Sequence, residues 1–156
     1  MRRFAISAHP VVGFLLAMLL AGVAVLAPMG CARGAGPYQP VQLAAGDAAI
    51  YLYRPRSLLS PGPVAVFVDQ AEVAKLRRNT HAVVIVGPGE HLVRVQRRSD
   101  ATRMVRLGPG ESLYLEVGAA LLGGKVSLSD PGEPVAKARI VQTRAMVLPV
   151  KLKPGD

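Results

Sequence analysis

A chain of 156 residues with one cysteine has room for a single domain and none for an intrachain disulfide. Its 51% apolar content excludes disorder of the whole, and 4% aromatics without Trp leave few stacking platforms for bases or sugars. The net charge of +9 suits nucleic acid, anionic lipid or acidic wall polymer as a partner, and equally an Arg-rich solvated surface.

Met1-Arg2-Arg3 is a short positive start, and the 17 residues from Val11 to Ala27 carry no charge. As a helix such a run reaches about 26 Å, slightly short of a ~30 Å hydrocarbon core. Positive start, apolar middle and small residues beyond are the parts of a secretory signal, with an uncleaved anchor as the alternative. Leu26-Ala27-Pro28-Met29-Gly30-Cys31 resembles a bacterial lipoprotein lipobox. The resemblance implies a diacylglyceryl group on Cys31, which becomes the new N-terminus. Gly30 fits the small residue before it, while Pro28 and Met29 depart from the pattern. Cleavage after Ala32, or retention as a span, are the other outcomes. Two acyl chains, at about 0.8 kcal/mol per buried CH₂, anchor stably where one does not. Ala32 stands where Asp favours inner-membrane retention in enterobacterial lipoproteins, which points to the outer membrane. The expected location is the bacterial cell envelope, facing the periplasm, held to the membrane by lipid or helix.

Residues 32–46 are rich in Gly, Ala and Pro and read as a flexible tether, leaving 47–153 as the domain. Pro-Gly recurs at Pro61-Gly62, Pro88-Gly89, Pro109-Gly110, Pro131-Gly132 and Pro154-Gly155, each a ready type II turn. Short apolar runs between them predict strands at Ile50–Arg54, Val64–Val68, Val73–Leu76, Ala82–Val86, His91–Gln96, Arg103–Leu107, Leu113–Val117 and Val126–Leu128. The sum is an all-β, antiparallel sandwich. Gly118 to Lys125 reads as a loop with an apolar Leu121-Leu122 plug. Glu133 to Arg144 is open between helix, with Val135, Ala138 and Val141 on one face, and strand. Val147 to Lys153 predicts a last strand, which Pro149 places at an edge. Gly87-Pro88-Gly89-Glu90 is echoed by Gly108-Pro109-Gly110-Glu111, and two similar hairpins account for the repeat.

Pro88-Gly89-Glu90-His91-x-Val93-x-Val95, after Val66-Phe67-Val68-Asp69, resembles the PEGA-type β-sandwich modules of envelope proteins. Tyr51-Leu52-Tyr53-Arg54-Pro55 before the Val-rich hairpin is similar to an uncharacterised family of bacterial lipoproteins, known as a domain of unknown function. The resemblance covers about residues 48–117 and rests on turns and core. It implies a small Ig-like or prealbumin-like sandwich and transfers no activity. The usual Gly after Asp69 is Gln70, which predicts a longer or differently typed turn.

Catalytic constellations are missing from the reading. A hairpin pairing Val86 with His91 would set His81 opposite Gln96, about 16 Å of strand from His91, too far to share a metal. No G-x-S-x-G, phosphate loop, dinucleotide fingerprint or zinc spacing occurs. Asp69, Glu90, Glu111 and Asp130 fall in predicted turns, where carboxylates are usually solvated or cap the backbone. No enzyme, cofactor or metal is expected.

The arginines carry the one sharper idea. A turn through Ser99-Asp100-Ala101 would set Val95 against Val105, Val93 against Leu107 and Arg94 against Arg106, with Arg98 nearby. Like charges directly opposite are destabilising unless an anion lies between them. Two readings follow. One is a structural or interaction module that meets an envelope protein by a sheet edge or the apolar loop. The other is a binding module for an acidic cell-wall polymer or lipid head group through that arginine face. Nucleic acid is not an expected partner of an exported domain.

Overall fold

These runs form ten strands and one helix among the residues described in a computed structural model, 37–56, 62–120, 124–146 and 149–152. In chain order they are β1 (Ala48–Arg54), β2 (Val64–Val68), β3 (Ala71–Leu76), β4 (Thr80–Val86), β5 (Gly89–Gln96) and β6 (Asp100–Leu107). Then follow β7 (Ser112–Ala119), β8 (Val126–Ser129), α1 (Glu133–Ile140), β9 (Arg144–Ala145) and β10 (Val150–Lys151). Each strand expected up to residue 129 is present, most of them slightly longer than read. Cys31 and the Leu121-Leu122 plug lie outside the described residues.

The strands divide between two sheets that pack face to face as a β-sandwich. The larger has the order β10-β4-β1-β7-β8, with β9 also on β4; the smaller is β3-β2-β5-β6. The expected hairpin between 82–86 and 91–96 does not exist, because β4 and β5 belong to different sheets. Gly87-Pro88 carries the chain from the larger sheet to the smaller, and Gly108 to Glu111 carries it back. The two G-P-G-E segments are therefore sheet crossings rather than hairpin loops. At the second, Glu111 N donates to Gly108 O at 3.2 Å and Gly110 has φ +74°, the conformation that Pro-Gly predicts there.

The sandwich is also not purely antiparallel. The second crossing returns the chain beside the start of β1, so β7 runs parallel to β1, with Ala49 opposite Ser112 and Tyr53 opposite Glu116. The short β9 and β10 also lie parallel to β4.

Side chains alternate across a strand, and the alternation sorts the core into two layers. Ile50, Leu52, Val64, Val66, Val68, Leu76, Val84, Val93, Val95, Leu115 and Val117 fill the space between the sheets. Ala49, Tyr51, Tyr53, Val83 and Tyr114 point to the other side of the larger sheet, where Ala136 and Ile140 of α1 cover them. Both faces of β1 are thus covered, and all seven of its residues are buried. At the margin of the sandwich, Arg103 of β6 reaches Asp130 after β8 at 3.7 Å and links the two sheets.

α1 resolves the ambiguity over 133–144. Pro134 sits in the first turn, where its missing N–H had no intrahelical partner, and Glu133 pairs with Lys137 at 2.5 Å. The buried stripe is Ala136 and Ile140, not the expected Val135 and Val141, both of which are exposed. Of the expected last strand, Val150–Lys151 is strand among the described residues.

The expected tether of 32–46 is shortened too. From Pro37, which bridges to Arg144, the chain lies along the larger sheet, with Tyr38, Val41 and Leu43 packed on the second layer. Three apolar side chains at those positions outweigh the Gly and Pro around them.

Candidate interaction face

The larger sheet has its outer face covered by α1 and residues 38–43; the smaller sheet has no such cover among the described residues. Its outer face is laid out by register. Phe67 of β2 stands between Glu72 of β3 and Arg94 of β5, and Arg94 faces Thr102 of β6. Next along the strands, Leu92 faces Met104, and Glu90 faces Arg106. Met104 is 62% exposed and Leu92 38%, so with half-buried Phe67 beside them an apolar patch meets solvent, with cations at both ends.

This register corrects the arginine pairing. The β5–β6 turn is tighter than expected, with Gln96 opposite Asp100 and only Arg97, Arg98 and Ser99 outside the ladder. All pairs therefore move by four residues, which keeps every side chain on its expected face but separates Arg94 from Arg106. With Arg94 opposite Thr102, Arg106 lies about 13 Å further along β6. Arg94 is already engaged: its guanidinium sits 4.2 Å from the Phe67 ring centre and 3.8 Å from Asp100. Arg98 is on neither row. It folds against Gly124 in the β7–β8 connection, where a Cβ would come within 2.8 Å of its side chain. Ser99 holds the same contact, its Oγ accepting from Val126 N at 3.1 Å and donating to Gly124 O at 3.4 Å. The structure therefore does not bring Arg94, Arg98 and Arg106 together.

The two histidines lie in different sheets and serve different ends. His81 is buried beside β9, its Nδ1 2.7 Å from Thr143 Oγ1. Thr143 spends its only hydrogen on Ile140 O at 2.6 Å, so His81 Nδ1 is the donor. Burial lowers the pKa of this ring and favours the neutral form. His91 spans the first crossing, with Nδ1 2.6 Å from Asp69 Oδ2 and Nε2 2.8 Å from Gly87 O. Asp69 Oδ1 also accepts from Leu92 N at 2.9 Å. Its turn is the two-residue kind, with Asp69 at φ +49° and Gln70 at +75°, so the missing Gly is tolerated without a longer loop. Glu111 and Asp130 cap the backbone N–H groups of Gly108 and Gly132, while Glu90 lies in β5 rather than in a turn. Among the described residues no three His, Cys, Asp or Glu side chains gather as metal ligands.

One polar cluster escaped the sequence reading. Glu116 Oε2 accepts from Tyr53 Oη at 3.0 Å and from Arg139 Nη1 at 2.5 Å, pinning α1 to the sheet. Burial, and then the Glu116 carboxylate, push the Tyr53 hydroxyl up to about 12. Glu116 and Arg139 line an open depression of about 350 Å³ with Pro55, Arg56, Asn79, Gln142 and Thr143. The Glu116 carboxylate holds both the phenol and the guanidinium, so the three groups act as one clasp between α1 and the sheet. The signal was present in the sequence: Tyr51 and Tyr53 alternate on one face, and all four tyrosines lie in this layer or against it.

Compared with known proteins, the chain matches no family model, no curated protein and no solved structure.

Proposed function

We propose that this chain is a non-catalytic lipoprotein of the bacterial cell envelope, working as a structural or protein-interaction module. In this reading Cys31, or the apolar span before it, holds an Ig-like or prealbumin-like sandwich at the periplasmic side of a membrane, the outer one by preference. What supports interaction is the asymmetry of the two outer sheet faces. One is covered by α1 and residues 38–43; the other leaves Leu92 and Met104 to solvent beside half-buried Phe67, bordered by Arg94 and Arg106. An apolar patch with a polar rim is the ordinary anatomy of a protein interface. Its occupant is an envelope protein.

A photo-crosslinking residue in place of Met104, in cells, tests this. A discrete adduct that persists at high salt and vanishes with Leu92→Glu is expected, while the same residue in place of Val141 on α1 gives none. Equal crosslinking at both positions, or at neither, overturns the reading. An adduct of twice the chain mass replaces the envelope partner by a second copy. The anchor has its own test. A lipid-sized mass increment on a Cys31 N-terminus is expected, and the mass of residues 1–156 intact would remove the cleaved lipoprotein.

A further inference from the structure

Among the described residues the larger sheet ends in β8 on one side and in β9 and β10 on the other, and the smaller ends in β3 and β6. β8 has four residues, and β9 and β10 have two each. β3 is irregular, its register shifting against β2 between Val66 and Phe67. β6 differs from all of them: eight residues, paired without a break from Asp100 to Leu107. Short or bulged edges are the ordinary guards against a foreign strand, and β6 has neither device.

The direction of its outward backbone groups follows from β5. Leu92 N donates to Asp69 Oδ1 and Leu92 O accepts from Asp69 N, so both point toward β2. In an antiparallel ladder the residue opposite such a residue also turns its N–H and C=O away from the pair. Met104 stands opposite Leu92, and the period of two extends the rule to Thr102 and Arg106. All three are exposed, and their side chains stand on the outer face with Leu92. A strand added at this edge would continue the proposed interface rather than open a new one.

Charge selects the occupant. From Arg97 to Leu107 the turn and strand hold four arginines and one aspartate, and that aspartate, Asp100, already lies 3.8 Å from Arg94. Arg103 stands in the inner row with Val105 and Leu107, 41% exposed at the margin where it reaches Asp130. A second copy laid antiparallel over 100–106 would set Arg103 directly opposite Arg103, a like-charge pair that opposes self-association. An acidic strand meets attraction along the same edge. We propose, resting on the interaction reading of this face, that β6 takes up an extended acidic segment of the envelope partner as a fifth strand of the smaller sheet. Backbone bonds at Thr102, Met104 and Arg106 hold the segment, and the arginines set its charge.

Photo-crosslinking of the full chain in cells tests the added strand, with the crosslinker in place of Met104 as the reference. The same residue in place of Thr102 should give the same adduct, and in place of Glu72, on the far edge of that sheet, none. Thr102→Pro should abolish the Met104 adduct, because it removes an outward N–H and no ladder bond, while Thr102→Val should keep it. A cooperative thermal transition of purified Thr102→Pro shows that its fold is kept; should it unfold, the Thr102 and Glu72 crosslinks decide alone. Arg103→Gln with Arg106→Gln should lower the adduct yield, and an unchanged yield overturns the acidic occupant. An adduct that survives Thr102→Pro in the folded chain, or one equally strong from Glu72, overturns the added strand and leaves the interaction reading standing. No adduct from Met104 in the otherwise natural chain removes that reading as well. An adduct of twice the chain mass from Thr102 overturns the choice of occupant.

Discussion

Tyr51 and Tyr114 stack with ring centres 4.6 Å apart and planes 11° from parallel, directly opposite each other across the parallel β1–β7 pair. Tyr38 closes on Tyr51 edge-on at 5.8 Å, and its hydroxyl is 3.1 Å from that of Tyr114. Tyr51 Oη accepts from Val41 N at 3.0 Å, so the stack also fastens the N-terminal segment to the sheet. Replacing Tyr114 by Ala removes a buried ring and should cost about 3–5 kcal/mol. Tyr114→Phe keeps the stack, loses one hydroxyl contact and should cost about 1 kcal/mol. Urea denaturation of the full chain measures both.

Burial of neutral His81 makes stability depend on pH. The folded pKa is lowered, so between the folded and unfolded values the unfolded chain binds the proton and the folded one does not. Stability from this group is complete above the unfolded value of about 6.5 and is lost as pH falls below it. The slope for one proton is at most about 1.4 kcal/mol per pH unit. Comparing Tm at pH 7.5 and pH 5 in the natural chain and in His81→Gln isolates it. The natural chain should lose more on acidification.

Gln70 holds φ +75° in the β2–β3 turn, a conformation that costs a side chain about 1–2 kcal/mol and glycine almost nothing. Part of that gain is offset by the greater freedom of glycine in the unfolded chain. Gln70→Gly should therefore stabilise by about 0.5–1 kcal/mol, read as a higher urea midpoint with an unchanged slope.

Gly124 is the opposite case. At φ +65°, with the Arg98 side chain 2.8 Å from where a Cβ would stand, it has neither the backbone nor the space for alanine. Gly124→Ala should cost about 1–3 kcal/mol. Adding Arg98→Ala should restore the steric part and leave the backbone part, a non-additive pair by double-mutant cycle.

Strand positions were legible because a period of two is written directly in runs such as Val64-Ala65-Val66-Phe67-Val68, with Pro-Gly marking their ends. Which strands share a sheet was not. A four-residue Gly-Pro-Gly-Glu segment serves a hairpin or a crossing equally well, and only the burial of Val84 and Val93 in one shared layer decides it. The arginine register failed for a related reason: sliding β6 by four residues keeps Val105 and Leu107 inside, so the hydrophobic pattern could not separate the two pairings. The second layer had a clue in β1, where Ala49, Tyr51 and Tyr53 alternate with Ile50 and Leu52 and leave no polar face before Arg54.

The middle strand of the larger sheet is made first and completed last. Ile50-Tyr51-Leu52-Tyr53 emerges before either neighbour, and its parallel partner from Ser112 onward comes only after the smaller sheet has been synthesised. A chain threaded through a membrane in this order presents its most adhesive stretch for most of the passage. On the proposed envelope reading, this strand order asks for a chaperone during export.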